Sequence, residues 1–122
     1  MGTVMKSILL VDDDTDYLWQ FKNLFVGKGL MVQCAANGEE ALSLLQGSSI
    51  HLMITDLNMP GMDGIELARK ALKIEPHLPI ILSTGAIENI AQTAEDAGIK
   101  EVLYKPLEPQ QMFVTVMNLL NI

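Results

Sequence analysis

The chain has 122 residues, of which 49% are hydrophobic and 19% charged, and its formal net charge is −7. This length and composition predict one globular domain, residues 1–122, with a core from about 6 to 121. The acidic balance and the lack of a Lys/Arg run argue against direct nucleic-acid binding. Since no apolar run could cross a bilayer and no signal-peptide core is visible, we expect a cytoplasmic location without membrane insertion. The single cysteine, Cys34, fits a reducing compartment and is expected to be a small core residue.

Apolar runs of strand length alternate along the chain with segments of helical periodicity. In chain order, the pattern predicts a strand at 7–11, a helix at 15–28, a strand at 31–36, a helix from 37 through 45, a strand at 51–55, a loop at 56–64, a helix at 65–74, a strand at 79–83, a helix at 87–97, a strand at 101–104 and a last helix from 109 through 119. Such an alternation is typical of a doubly wound α/β fold, in which helices cover both faces of a parallel sheet.

Several acids and one amide have the positions of helix caps. Asn37, with Glu40 three residues on, matches a capping box at the start of the second helix. Asp14 and Asp16 are expected to be the N-cap and a first-turn acid of the first helix, and Asp63 a loop or capping residue.

Chemically active residues follow four of the predicted strands. Asp12 and Asp13 follow the first strand, Asp56 the third, Thr84 the fourth and Lys105 the fifth. Because ligands of open parallel sheets bind at the carboxyl ends of the strands, these side chains should converge on one edge. Three carboxylates there form a hard oxygen cage suited to Mg²⁺, while a lysine and a hydroxyl can hold phosphoryl oxygens. The set therefore predicts phosphoryl transfer, with catalysis by positioning and electrostatics.

Four motifs together resemble a known family. They are ILLVDDD at 8–14, ITDLNMPGMDG at 54–64, ILSTGA at 81–86 and LYKP at 103–106. In this order and spacing they resemble the response-regulator receiver domains of two-component signalling. The resemblance implies a flavodoxin-like (βα)5 three-layer sandwich with strand order 2-1-3-4-5. It also implies a signalling domain rather than an enzyme, phosphorylated by a sensor histidine kinase or its phosphotransfer domain, with a downstream protein partner.

The resemblance also implies a role for each site residue. Asp56 would be the nucleophile that takes the phosphoryl group from a phosphohistidine. Asp13 would bind Mg²⁺ directly and Asp12 through water, together with Asp56 and the backbone carbonyl of Asn58. The remaining implied roles are a hydrogen bond from Thr84 to a phosphoryl oxygen, an ion pair from Lys105 to another, and a cis peptide at Lys105–Pro106.

The chain departs from the family pattern at three positions. Many members carry Tyr or Phe three residues before the lysine, where this chain has Val102. Tyr104 lies on the same predicted strand face but directly before Lys105, so the usual threonine-to-aromatic coupling is not expected. Gly85 stands where Ala is common, which should loosen the loop and open the phosphoryl pocket.

Three other classes share single features with the chain. A haloacid-dehalogenase-like phosphatase would use Asp12 and Asp14, but Asp16 stands where that family has Thr or Val, and it has no role for Asp56. A flavodoxin-type cofactor protein has the same fold, but its flavin phosphate would not favour four acids after the first strand. A calcium-binding loop has acids at the spacing of Asp12, Asp14 and Asp16. It also requires a Gly and a Glu, and this chain has Tyr17 and Asn23 at those two positions.

Two contexts are compatible with the resemblance. The domain could act as a stand-alone regulator, or it could be the receiver of a hybrid sensor histidine kinase. The segments STG at 83–85 and LYKPL at 103–107 favour the hybrid kinase.

Overall fold

A computed structural model describes residues 5–85 and 89–121 of the chain. Five strands alternate with five helices, as predicted. In chain order they are β1 (Ser7–Val11), α1 (Thr15–Val26), β2 (Met31–Ala35), α2 (Gly38–Gly47), β3 (Leu52–Asp56), α3 (Gly64–Ile74), β4 (Ile80–Thr84), α4 (Ile90–Asp96), β5 (Glu101–Tyr104) and α5 (Pro109–Leu120). None of the helices in the described ranges is long and apolar enough to cross a membrane.

The strands form one parallel sheet in the order β2-β1-β3-β4-β5, which confirms the predicted order. In the ladders that matter here, Val11 is paired with Thr55, Asp56 with Ser83 and Thr84 with Tyr104. The carboxyl ends of β1, β3, β4 and β5 therefore lie side by side.

Each face of the sheet carries its own buried core, because alternate strand residues point to opposite faces. On one face, Ile8, Leu10, Leu52, Ile54, Ile81 and Leu103 pack against α1 and α5, and this set with its helix residues is the α1–α5 core. On the other, Leu9, Val11, Met53, Ile80 and Leu82 pack against α2, α3 and α4 as the α2–α4 core. The result is the predicted three-layer sandwich.

Some predicted boundaries were wrong by one or two residues. β3 and β4 each begin and end one residue later than predicted, because Asp56 still pairs with Ser83 and Thr84 with Tyr104 across the ladders. The last helix-forming residue of α1 is Val26 rather than residue 28. For α4, the predicted start at 87 lies outside the described residues; Asn89, at φ 61°, precedes the helix, which begins at Ile90.

Candidate functional site

Three carboxylates meet at the carboxyl edge of the sheet. Asp12 and Asp13 directly follow β1, and Asp56 ends the adjacent strand β3. One carboxylate oxygen of each lies within 4.8 Å of the others. Asp12 and Asp56 are buried and Asp13 is exposed, so the cluster opens to solvent on one side. In the described part of the chain this is the one acidic group with metal-ligand spacing.

Lys105 joins two of these carboxylates. Its Nζ donates to Asp12 Oδ2 at 3.2 Å and lies 3.3 Å from Asp56 Oδ1. The Lys105–Pro106 peptide is cis, as predicted, and the Lys105 amide donates to the Thr84 carbonyl at 2.7 Å. The lysine predicted to hold a phosphoryl group is thus already placed against the predicted acceptor.

Burial and neighbouring charges shift the ionisation of two of these groups. Burial raises the pKa of Asp12, and the negative charge of Asp56 adds to it, although the Asp14 amide and Lys105 act in the opposite direction. Burial alone would lower the pKa of Lys105, but the charges of Asp12 and Asp56 outweigh it and raise this pKa above its ordinary value. The positive charge of Lys105 therefore neutralises only part of the negative charge of the site.

The donor set fits a small hard cation. Carboxylate oxygens from three residues, partly buried beside one lysine, are the ligands that Mg²⁺ takes in phosphoryl-transfer sites. Asp14 is not part of the cluster: its carboxylate accepts from the amides of Asp16 and Tyr17 and caps α1, as predicted. The structure therefore does not support a calcium-binding loop, nor a phosphatase that uses Asp12 and Asp14 as a pair.

Thr84 ends β4, one residue past the ladder partner of Asp56. Its hydroxyl is fully buried and has no hydrogen-bond partner among the described residues. A buried hydroxyl without a partner is costly, so it is suited to a ligand that brings an acceptor oxygen.

The remaining predicted positions have distinct environments. Asn58 is exposed on the loop after β3 and Leu57, so its carbonyl role stays a prediction. Val102 packs against the α2–α4 core, whereas Tyr104 is 47% exposed.

Sequence reasoning missed Tyr17 and Ser83. The Tyr17 ring lies 4.4 Å from Lys105 Nζ, and its hydroxyl lies 3.2 Å from Ser83 Oγ. Helical spacing gave no signal for Tyr17, because α1 begins at Thr15 and Asp13 lies before its N-cap.

Comparison with known proteins gives a consistent result. The model of the family described as "Response regulator receiver domain" matches residues 8–117. CpdR of Brucella abortus, a response regulator receiver protein, is 40% identical over 106 residues, which cover 84% of this chain and 86% of CpdR. DctD of Rhizobium meliloti, a transcriptional regulatory protein of C4-dicarboxylate transport, is 35% identical over 108 residues, covering 87% of this chain and 23% of DctD. The chain spans less than a third of the length of DctD and of several other relatives.

A solved structure agrees with these relatives. The CheY-like receiver domain protein of Methanospirillum hungatei superposes with a TM-score of 0.93 at 30% identity, covering 97% of this chain and 95% of that protein.

Proposed function

Because this chain belongs to the response regulator receiver domain family of two-component signalling, we propose that Asp56 accepts a phosphoryl group from a phosphohistidine. The donor is a sensor histidine kinase or its phosphotransfer domain. The observation that carries the assignment is the contact of Lys105 Nζ with both Asp56 and Asp12 at the sheet edge. A cation held against a buried carboxylate is suited to receiving the oxygens of a transferred phosphoryl group.

In the transfer, a carboxylate oxygen of Asp56 forms a bond to phosphorus while the bond from phosphorus to the donor imidazole nitrogen breaks. The bonding electron pair stays on that nitrogen, so the donor leaves as histidine and Asp56 becomes an acyl phosphate. Lys105 shifts its ion pair from the carboxylate to a phosphoryl oxygen as negative charge moves outward. Asp56 is thus a nucleophile in its own modification.

The hydroxyl of Thr84 supplies a further contact. It is buried without a partner among the described residues, so donation to a phosphoryl oxygen would satisfy it. Since Thr84 ends β4 next to the acceptor strand, this hydrogen bond would link phosphorylation to that strand and the segment after it.

Asp12, Asp13, Asp56 and the carbonyl of Asn58 would hold Mg²⁺, which supplies positive charge beside the phosphoryl oxygens. We place the domain in the cytoplasm, where its output is binding of a downstream protein rather than turnover of a small molecule. An origin in a hybrid histidine kinase stays a prediction, since the relatives named above are response regulators.

Intact mass spectrometry tests this proposal. Incubation with acetyl phosphate and Mg²⁺ should add one phosphoryl group to the wild type and none to Asp56→Asn. Asp63→Asn is the matched control, because Asp63 is an exposed N-cap of α3 and asparagine caps equally well. It should be modified like the wild type. A phosphoryl adduct on Asp56→Asn would contradict the assignment.

A further inference from the structure

Tyr17 lies in the first turn of α1 and has three contacts that fix its side chain. Its ring lies 4.4 Å from Lys105 Nζ, its hydroxyl lies 3.2 Å from Ser83 Oγ, and its ring centroid is 4.7 Å from that of Phe21. These contacts come from the β5–α5 connection, β4 and the next turn of α1 respectively. The ring is therefore fixed between three separate elements.

The partner of the Tyr17 hydroxyl links it to the acceptor strand. Ser83 is the ladder partner of Asp56, and both continue the strand positions that face α1 and α5. Ser83 is itself buried. The hydroxyl contact thus fixes the ring relative to the strand beside the acceptor.

A lysine ammonium on its four-carbon stem is mobile unless several groups restrain it. Here the carboxylates of Asp12 and Asp56 restrain it by charge, while the Tyr17 ring presents its face to the same nitrogen. An aromatic face attracts a cation and adds no negative charge to the site. The ring can hold the ammonium in place whether or not Asp56 carries a phosphoryl group.

We propose that Tyr17 is a positioning residue: its ring, anchored to Ser83, holds the Lys105 ammonium where the phosphoryl oxygens of a modified Asp56 would lie. This inference rests on the proposed function. Burial raises the pKa of the Tyr17 hydroxyl, which keeps the side chain neutral and able to share a proton with Ser83.

The first test is the NMR signal of the Lys105 ε-methylene protons in the ligand-free protein. A nitrogen over the ring face places these protons in the shielding region, so they should resonate upfield of the other lysines. The shift should persist in Tyr17→Phe and disappear in Tyr17→Leu. Trp19→Leu is the matched control, because it removes an aromatic ring from the same helix at a side chain that is 67% exposed.

The second test is the affinity for beryllofluoride, a phosphoryl mimic, in the presence of Mg²⁺. Tyr17→Leu should weaken binding about three- to fivefold, whereas Trp19→Leu should bind like the wild type. Tyr17→Phe keeps the ring and loses only the hydroxyl contact with Ser83, so it should weaken binding less than Tyr17→Leu does. Ser83→Ala removes only the anchor of the hydroxyl, so it and Tyr17→Phe should have equal effects that do not add in the double variant.

The two tests separate the two proposals. If the wild type fails to bind the mimic, the proposed phosphoacceptor function is wrong, and the Lys105 signal alone decides the role of Tyr17. If the wild type binds and Tyr17→Leu binds as tightly as Trp19→Leu, the positioning role is wrong. If the Lys105 ε-methylene signal of the wild type is not shifted upfield, the positioning role is wrong. This outcome needs no variant, so it holds even if the Tyr17→Leu protein folds poorly.

Discussion

The surroundings of Asp12 disfavour its negative charge at this edge of the sheet. Its carboxylate is buried, accepts from the Asp14 amide at 2.9 Å and pairs with Lys105, yet its pKa is still raised. Burial is the main cause, and the charge of Asp56 contributes. A second cation beside these carboxylates would remove this penalty, so folding and metal binding should be coupled.

Mg²⁺ should therefore raise the Tm of the protein. The mass-action gain is about 2.7 kcal/mol at a hundredfold excess over Kd, and it should shrink in Asp13→Ala, which removes one ligand but leaves Lys105 paired. Differential scanning fluorimetry with and without millimolar Mg²⁺ measures it. Asp16→Ala is the control, because Asp16 is an exposed acid of α1 outside the cluster. An equal rise in the wild type and Asp13→Ala would argue against the site.

The same coupling has a defined pH dependence. Because the folded-state pKa of Asp12 lies above its ordinary value of 3.8, the unfolded chain loses this proton first. The contribution of Asp12 to the free energy of unfolding therefore falls as pH rises from its ordinary value of 3.8 through the folded-state pKa. Below that window Asp12 does not reduce the free energy of unfolding. The Tm gain from Mg²⁺ should grow as pH increases across the same window.

The place of the strand-end residues in the site could be predicted from sequence, whereas the place of Tyr17 beside Lys105 could not. Asp12, Asp13, Asp56 and Lys105 follow strands whose parallel order fixes where they meet. The ring of Tyr17 reaches Lys105 only because α1 packs beside the β5–α5 connection, and that packing depends on side chains distant in sequence.

Helix caps decide which acids reach the site. Asp14 and Asp63 each accept from amides in the first turn of the following helix. Asn37 accepts from the Glu40 amide, as the predicted capping box requires, but the Glu40 carboxylate accepts from the Ala36 amide rather than from that of Asn37. The four acids after β1 are thereby divided, with Asp12 and Asp13 in the acidic cluster, Asp14 at the N-cap of α1 and Asp16 in its first turn. These local contacts were predictable because they depend on residues two to four positions apart.

The ends of β3 and β4 were less predictable. Asp56 was predicted to begin a loop and Thr84 to follow its strand, but ladder pairing of Asp56 with Ser83 and of Thr84 with Tyr104 keeps both in strands. Such pairing depends on a neighbouring strand rather than on local sequence. As a result, the proposed acceptor Asp56 lies at the end of a strand and not in a loop.

Two glycines near the site should respond in opposite ways to alanine. At Gly64, the first residue of α3, an added Cβ would collide with the backbone carbonyl oxygen of Asp56. At Gly85, which has no positive φ, an added Cβ meets nothing described within 4 Å. Gly64→Ala should therefore lose about 1–3 kcal/mol of unfolding free energy, while Gly85→Ala should gain about 0.4–1 kcal/mol.

Urea unfolding monitored by circular dichroism measures both changes, and each variant is the control for the other. A Gly64→Ala protein as stable as the wild type would mean that α3 does not approach Asp56 as closely as the structure indicates.

At the scale of the molecule, the two cores connect the site to different helices. Asp56 ends β3 on the side of the α1–α5 core, whereas Val102 on β5 packs into the α2–α4 core. A cavity of about 560 Å³ lies between α4 and β5 and is lined in part by Ala91, Val102 and Tyr104. A small β-branched side chain there cannot swing as an aromatic ring does.

We expect the signal to reach α4 without a rotamer change at Val102. The switch is expected to be either damped or carried by the loop around Gly85 and Ala86. Residues 86–88 of that loop lie outside the described part of the chain. Beryllofluoride with Mg²⁺ should shift the backbone amide NMR signals of Ile90–Asp96 equally in the wild type and Val102→Ala. Val114→Ala, at an exposed position of α5, is the control. Loss of the α4 response in Val102→Ala, with the mimic still bound, would make Val102 the coupling residue.

The identity of the phosphorylated carboxylate is the most direct test of the account as a whole. An aspartyl phosphate is an acyl phosphate, which borohydride reduces to homoserine with release of phosphate. Trypsin then separates the acids after β1, in peptide 7–22, from Asp56, in peptide 29–69. Tandem mass spectrometry of the phosphorylated, reduced and digested protein should find homoserine at position 56 alone. Homoserine at Asp12, Asp13 or Asp14, or at Asp63 within the second peptide, would contradict the account.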